Sequence, residues 1–257
     1  LINDHKSTFS FSPTFGYELC VRRWRNDRNL DLSSWKAAGI GGDMVRPEPL
    51  TEFSTLFSKM GFSEGTFKPS YGLAETTLAA TFSPPGQGLL KHTIDMERYE
   101  RTSEAIEANE ITNIEHKRTF VACGLVLPGH EIEIRDFDGN VLDGNKVGKI
   151  CLRGPSVSPG YFRNTQATEE SFSSDGWLDT GDLGYWLDNQ LVVTGRFKDL
   201  ILWHGRNIWP QDIEWAAQAA APHRIGRACS FAMGGVGDQK EIMLLLECRT
   251  RDQKLLD

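Results

Sequence analysis

Cysteine is scarce and never paired. The five residues Cys20, Cys123, Cys151, Cys229 and Cys248 are odd in number, far apart and form no C-x-x-C motif. This pattern fits neither a disulfide framework nor a structural zinc site, and a reducing cytoplasm is the compartment it suits. Long apolar runs are absent too. No stretch approaches the roughly 18 to 20 residues that cross a bilayer, so no membrane span is expected. The N-terminal LINDHKSTFS lacks the basic and apolar regions of a signal peptide. It also lacks an initiator methionine, which suggests a piece of a longer protein. Excess positive charge is missing as well. A formal net charge of −7 argues against a nucleic-acid partner, whose phosphates need a concentrated cationic surface. The one basic cluster, RRWRNDR from Arg22 to Arg28, reads either as a solvated helix face or as a dock for an acidic protein or a phosphate.

What is present points to an ordered α/β chain. With 257 residues, 39% hydrophobic and 10% aromatic, the sequence can bury a substantial core in one or two domains. A first helix is expected from about Tyr17 to Arg25. The segment after Trp35 ends in GIGGD, with glycines where a backbone comes close to something. A second helix is expected from Pro47 to Met60, with Leu50, Phe53, Phe57 and Met60 at helical spacing as core. The run TFKPSYGLAETTLAATF reads as a strand, a glycine turn and a helix starting near Ala74, the kind of helix start where nucleotides sit in α/β proteins. Residues 83–118 are charged and short of apolar anchors, and read as a surface insertion with one helix. From Phe120 to Val193 apolar residues alternate, Ile132, Ile134, Val147, Ile150 and Leu152 among them, which predicts short antiparallel strands. A helix from Pro210 and strands near Ala228–Met233 and Ile242–Cys248 then mark a second, small α+β unit that is expected to be unfinished at Asp257. No repeat of solenoid period is present.

Two clusters carry chemistry. In DTGDLGYWLDNQLVVTGRFKDLI, Asp182 sits in a tight glycine-flanked turn and can accept hydrogen bonds from two adjacent hydroxyls, as acids do on a ribose. Arg196 follows Gly195 at the end of the next strand. A hairpin would bring it beside the acid, either to meet a sugar or phosphate or simply to close the hairpin as an ion pair. In SYGLAET, Tyr71 offers a flat packing surface and Glu75 an acid at a helix start. That carboxylate reads either as a Mg2+ ligand beside phosphates or as a complement to the helix dipole.

Taken together, SYGLAET (70–76), WLDTGDLGY (177–185), GRFKDLI (195–201) and GRNIWPQDIE (205–214) resemble, in order and spacing, the core motifs of adenylate-forming enzymes, the acyl-CoA synthetases, luciferases and peptide-synthetase adenylation domains. The resemblance spans most of the chain. Within that superfamily TFGYELCVRR, GGDMVRPEPLTEF, GRNIWPQDIE and the insertion near 83–118 resemble the fatty acyl-AMP ligases. Asp43 stands where those enzymes carry Glu, and Ile208 and Trp209 stand where they carry His and Tyr.

The resemblance implies a fold of three parts: the second α/β subdomain of a large domain (1–124), a β-barrel-like subdomain (125–198) and a partial small α+β domain (199–257). It implies ATP-dependent activation of a fatty acid to acyl-AMP, for transfer to the phosphopantetheine of an acyl carrier protein or of a polyketide or peptide synthase carrier domain. Asp182 would accept the ribose hydroxyls and Arg196 would contact the ribose or α-phosphate. Glu75 would hold Mg2+. Tyr71 and the backbone of Gly41, Gly42 and Asp43 would border the adenine, Gly72 would let the chain approach the acyl-phosphate, and Phe15 would line the acyl tunnel. Lys198 and Asp199 fall at the hinge of the rotating small domain. Neither His130 nor His204 is assigned a catalytic role. The family's Ser/Thr/Gly-rich phosphate loop and its catalytic lysine near the end of the small domain are not in this sequence, so the 257 residues alone are expected to be inactive. An acyl-CoA synthetase and a non-catalytic nucleotide-binding or docking module are the alternatives.

Overall fold

The structure, a computed structural model, describes residues 1–25, 29–203, 206–221, 225–234 and 241–248. The chain divides into two units, Leu1–Thr194 and Gly195–Asp257. The first begins with α1 (Ile2–His5), β1 (Phe9–Ser12), α2 (Thr14–Arg23), β2 (Ala37–Ile40), α3 (Pro47–Phe57), β3 (Phe67–Tyr71) and β4 (Thr81–Phe82). It continues with β5 (Lys91–Asp95), α4 (Met96–Thr102), β6 (Lys117–Val121), β7 (Leu125–Val126), β8 (Glu131–Arg135), β9 (Val141–Leu142) and β10 (Gly148–Arg153). Last come α5 (Thr165–Ser171), β11 (Leu178–Leu187) and β12 (Gln190–Arg196), whose final two residues fall in the second unit.

The first sheet has the order β1-β2-β3-β4-β7, with β1, β2 and β3 parallel and β4 and β7 antiparallel. Its helices follow from the sequence. Pro47 at the first turn pre-sets the backbone of α3. Leu50, Phe53 and Phe57 then recur on one buried face, while Met60 lies in a 3-10 turn that closes on Gly61. The α2 helix starts at Thr14, three residues before the expected Tyr17, and ends before Trp24, whose backbone is extended. Tyr17 turns inward, donates to the Gly39 carbonyl at 2.9 Å and meets Phe53 and Phe67 edge-on. With Trp35 and Phe62 these rings form an aromatic core, and such edge-on pairs add about 0.5–1.5 kcal/mol each beyond their burial.

The second sheet has the order β12-β11-β10-β8-β9. The expected strands pair antiparallel, Ile150 opposite Ile134 and Leu152 opposite Ile132. Among the described residues this sheet is open, with β12 and β9 at its edges, and does not close into a barrel. The β11–β12 hairpin turns at Asp188 and Asn189, with φ of 48° and 61°, the positive pair that suits the right-handed twist of flanking strands.

The insertion differs from expectation. It does contain one helix, α4, but it is not a surface appendage short of anchors. Its strands β5 and β6 pair antiparallel, and Ile94, Tyr99 and Ala105 are buried. His92 Nδ1 shares a 2.8 Å hydrogen bond with the Tyr185 hydroxyl, and the Tyr99 hydroxyl reaches Thr194 Oγ1 at 3.4 Å. Composition hid this because β5 alternates, burying His92 and Ile94 while Lys91 is exposed and Thr93 and Asp95 are half-buried.

In the second unit β13 (Ile201–Trp203) pairs with β14 (Arg206–Ile208), and β15 (Ile225–Met233) pairs with β16 (Glu241–Cys248). Between them α6 (Pro210–Ala220) packs on β15, where Ser230 donates to the Pro210 carbonyl and to Glu214, both at 2.8 Å. Trp209, at the family departure, is buried against Gly195, where a Cβ would strike its ring.

Candidate functional site

The GGD and SYG segments leave the carboxyl ends of the adjacent parallel strands β2 and β3, where Ile40 stands opposite Pro69. Ligands in open α/β sheets bind outside such ends. The Ser70 hydroxyl donates to the Ile40 carbonyl at 3.0 Å and ties the two ends together. A Cβ on Gly41 would come within 2.8 Å of that hydroxyl, and Gly42 has φ 81° with open space around it, a left-handed backbone that favours glycine. Asp43 is exposed and its Oδ1 accepts the Met44 amide at 2.7 Å.

After Tyr71 the chain does not enter the expected helix. Ala74–Thr76 form a single 3-10 turn and Thr77 takes φ 69°, ψ −53°, which ends helical geometry. The chain folds back so that the Ala80 amide reaches the Tyr71 carbonyl and Thr81 pairs with Tyr71 in β4. A Cβ on Gly72 would fall on the Leu78 carbonyl, so this glycine serves the fold-back itself. The helix-dipole reading of Glu75 therefore lapses. The apolar spacing of LAETTLAA is helical, but antiparallel pairing with β3 overrides it.

Asp182 lies inside β11, not in a turn ahead of a strand. Cys151 pairs with Asp179 and Lys149 with Leu183, so Thr180, Gly181 and Asp182 together oppose Ile150 alone. Gly181 takes φ 73°, the Thr180 hydroxyl donates to the Ile150 carbonyl at 2.9 Å, and the Asp182 amide donates back to Thr180 Oγ1 at 3.1 Å. Such a bulge re-aims the side chain that follows it. Asp182 is 6% exposed, and its Oδ2 accepts the Tyr71 hydroxyl at 2.7 Å. Tyr71 is thus a hydrogen-bond donor as well as a packing surface. An ionised carboxylate has about four lone-pair sites, enough to accept hydroxyls besides this tyrosine. Beside the bulge Lys149 pairs with Asp179 at 2.8 Å, which raises the lysine pKa.

Glu75 is half-buried, and its Oε1 accepts the Tyr161 hydroxyl at 2.7 Å. Its backbone carbonyl accepts the Ser158 amide, and the next carbonyl, Thr76, accepts the Ser156 hydroxyl at 3.0 Å. His130 shares a 2.8 Å bond with Ser156 and so belongs to this clamp. Sequence reasoning passed over Tyr161 and Ser156. Their signal was the turn-rich PSVSPGY stretch, which no periodicity marks as a partner of a segment some eighty residues earlier. Among the described residues no group of three or more His, Cys, Asp or Glu is placed to hold a metal. One carboxylate is still a fitting ligand for Mg2+, which takes one or two protein carboxylates plus phosphate oxygens and water.

The structure thus brings Tyr71 to Asp182 and the GGD end to the SYG end. Arg196 ends β12 and Lys198 lies in the following 3-10 turn with Asp199, all exposed and all in the second unit. Phe15 is 62% exposed on α2, not core. His204 and the end of the basic cluster, residues 26–28, lie outside the described residues. The two buried thiols are poor nucleophiles: burial pushes Cys123 up to about 12 and Cys151 up to about 11. No helix among the described residues is long and apolar enough to cross a membrane.

Residues 1–162 match the AMP-binding enzyme family. A Caulobacter vibrioides protein, provisionally named an acyl-CoA synthetase, is 46% identical over 98% of this chain and 44% of its own length. A medium-chain-fatty-acid–[acyl-carrier-protein] ligase of Moorena producens is 33% identical over 100% of this chain and 45% of its own. A solved structure from work on fatty acyl-adenylate ligases of E. coli and L. pneumophila superposes with a TM-score of 0.89 at 42% identity, covering 100% of this chain and 45% of that one. The chain therefore spans less than half the length of these relatives, over which it shares their adenylate-forming fold. The chain belongs to the AMP-binding enzyme family, and its relatives there include fatty acyl-adenylate ligases.

Proposed function

We propose that this chain is the nucleotide-gripping part of an ATP-dependent fatty acyl-AMP ligase. The observation that carries the reading is the buried Tyr71–Asp182 pair, with Asp182 aimed by its bulge and Tyr71 at the mouth of two parallel strands. In the proposed reaction a fatty acid carboxylate oxygen attacks the α-phosphorus of ATP, the bond to the β-phosphate oxygen breaks, and pyrophosphate leaves. The acyl-AMP then passes its acyl group to the phosphopantetheine thiol of a carrier protein or carrier domain, releasing AMP. Asp182 accepts the ribose hydroxyls, while Tyr71 and the backbone of Gly41, Gly42 and Asp43 border the base. Arg196 meets the ribose or α-phosphate, where a fixed cation stabilises the charge that develops during attack. Glu75 holds Mg2+, which when bound neutralises charge on the phosphates. Gly72 leaves room for the acyl-phosphate, and Lys198 starts the hinge of the moving domain.

On this reading residues 1–124, 125–198 and 199–257 are the α/β subdomain, the strand-rich subdomain and the start of the small domain. Five free cysteines suit a cytoplasmic enzyme. The test uses the whole protein that carries this chain, given ATP, Mg2+, a medium-to-long fatty acid and CoA, with acyl-AMP and acyl-CoA followed by mass spectrometry. Acyl-AMP without acyl-CoA supports the ligase. Rapid acyl-CoA formation supports the second reading, an acyl-CoA synthetase, which the provisional name of the Caulobacter relative favours. Neither product favours a binding module. The 257 residues alone are expected to form no acyl-AMP at a useful rate.

A further inference from the structure

We infer that Tyr161 is a positioning residue for the Glu75 carboxylate, and through it for the cation that accompanies the nucleotide phosphates, an inference that rests on Glu75 being the cation's ligand. The turn that carries Glu75 is three residues long and is followed at once by Thr77 at φ 69°, so it offers the carboxylate little support of its own. Support comes from residues 156–161. Ser156 and Ser158 hold the carbonyls of Thr76 and Glu75, and Tyr161 holds the carboxylate, leaving Oε2 without a hydrogen-bond partner among the described residues.

Tyr161 is itself fixed. Its amide donates to Thr168 Oγ1 at 2.9 Å, and its ring meets Phe172 edge-on at 5.9 Å, which ties it to α5. The bond narrows the rotamers this glutamate samples, with one oxygen bonded to the tyrosine and the other left for a ligand. Partners that orient a metal-binding carboxylate typically account for about 10- to 100-fold in metal affinity. Tyr161 is 38% exposed, so the effect belongs at or below the lower end of that range.

The test is Tyr161→Phe in the whole protein, which deletes the hydroxyl and keeps the ring on Phe172, with Glu75→Gln as reference. Mn2+ is titrated as a paramagnetic probe in the presence of a non-hydrolysable ATP analogue, and free Mn2+ is read by electron paramagnetic resonance. The expected result is Mn2+ binding weakened about 3- to 10-fold in Y161F. The Mg2+ concentration for half-maximal acyl-AMP formation should rise by a similar factor, with the urea-unfolding midpoint unchanged. Mn2+ binding within about twofold of wild type in Y161F, while E75Q is clearly weakened, would overturn the positioning role and leave Glu75 as ligand. Unchanged binding in both variants would overturn the ligand role of Glu75 and this inference with it. A wild-type protein that forms no acyl-AMP yet shows the Mn2+ difference would instead count against the proposed reaction while upholding the positioning.

Discussion

The Tyr71 hydroxyl donates to Asp182 Oδ2 at 2.7 Å across 111 positions of sequence, joining the end of a parallel strand to a bulge in an antiparallel one. Both residues are buried, so the bond lies in surroundings where a charged acceptor gains more from its donor than it would in water.

Tyr71→Phe should cost about 1.5–3 kcal/mol of stability, the usual range for a hydrogen bond to a charged group, because a buried carboxylate loses a donor. Asp182→Asn keeps the shape but turns one acceptor oxygen into a donor, and ATP affinity in the whole protein should fall about tenfold or more, near 1.4 kcal/mol. Urea titration and calorimetric ATP binding measure the two effects. An ATP affinity unaffected by D182N would remove the ribose role from Asp182.

Gly181 stands at φ 73° with open space where a Cβ would go. Gly181→Ala should therefore cost only the left-handed penalty, about 1–2 kcal/mol, without a clash. If the bulge aims Asp182, the same variant should weaken ATP binding as well. Crystallography or amide chemical shifts at 179–183 would show whether the bulge has relaxed.

Gly72→Ala is the sharper case. Its Cβ would land on the Leu78 carbonyl, which is backbone and cannot rotate away. The expected outcome is a poorly folded protein, visible as loss of the cooperative unfolding transition. A well-folded G72A that binds ATP but makes no acyl-AMP would favour the acyl-phosphate role over the fold-back as the reason for this glycine.

His92 supplies a pH dependence. Burial lowers its pKa more than Glu107 and Asp188 raise it. The unfolded chain then binds more protons at His92 than the folded one as pH drops below the ordinary histidine value near 6.5, so stability is fully present above that pH and is lost as pH falls through the depressed folded pKa. Stability measured by urea between pH 7.5 and 5 should fall on the acid side. His92→Gln should flatten that part of the curve, and an unchanged slope would assign it to other groups.

The legible parts were local. Proline at the first turn located α3 and α6, apolar residues at period 3.6 marked the buried face of α3, and alternation at period 2 located β8 and β10 with their pairing faces. The motifs around Tyr71, Glu75 and Asp182 pointed to one family, and residues 1–162 match that family. The illegible parts were non-local. LAETTLAA has helical spacing, yet Thr81 pairs with Tyr71 and the segment becomes a turn, because two strand partners outweigh a weak intrinsic preference. The charged stretch 83–118 conceals Ile94 and Tyr99, since composition averages over faces that the fold separates.

The sequence by itself determined the α/β class, the family and which side chains are candidates for the site, because residue type, spacing and period are written along the chain. Only the tertiary structure decided that Asp182 sits in a bulge opposite Ile150 and takes the Tyr71 hydroxyl, that Glu75 is clamped by residues 156–161, and that the insertion is anchored through His92 and Tyr99. The reason is physical: a hydrogen bond between residues 71 and 182 or 75 and 161 exists only once distant strands have paired, and pairing register is set by burial of whole faces, not by the residues that later form the bond.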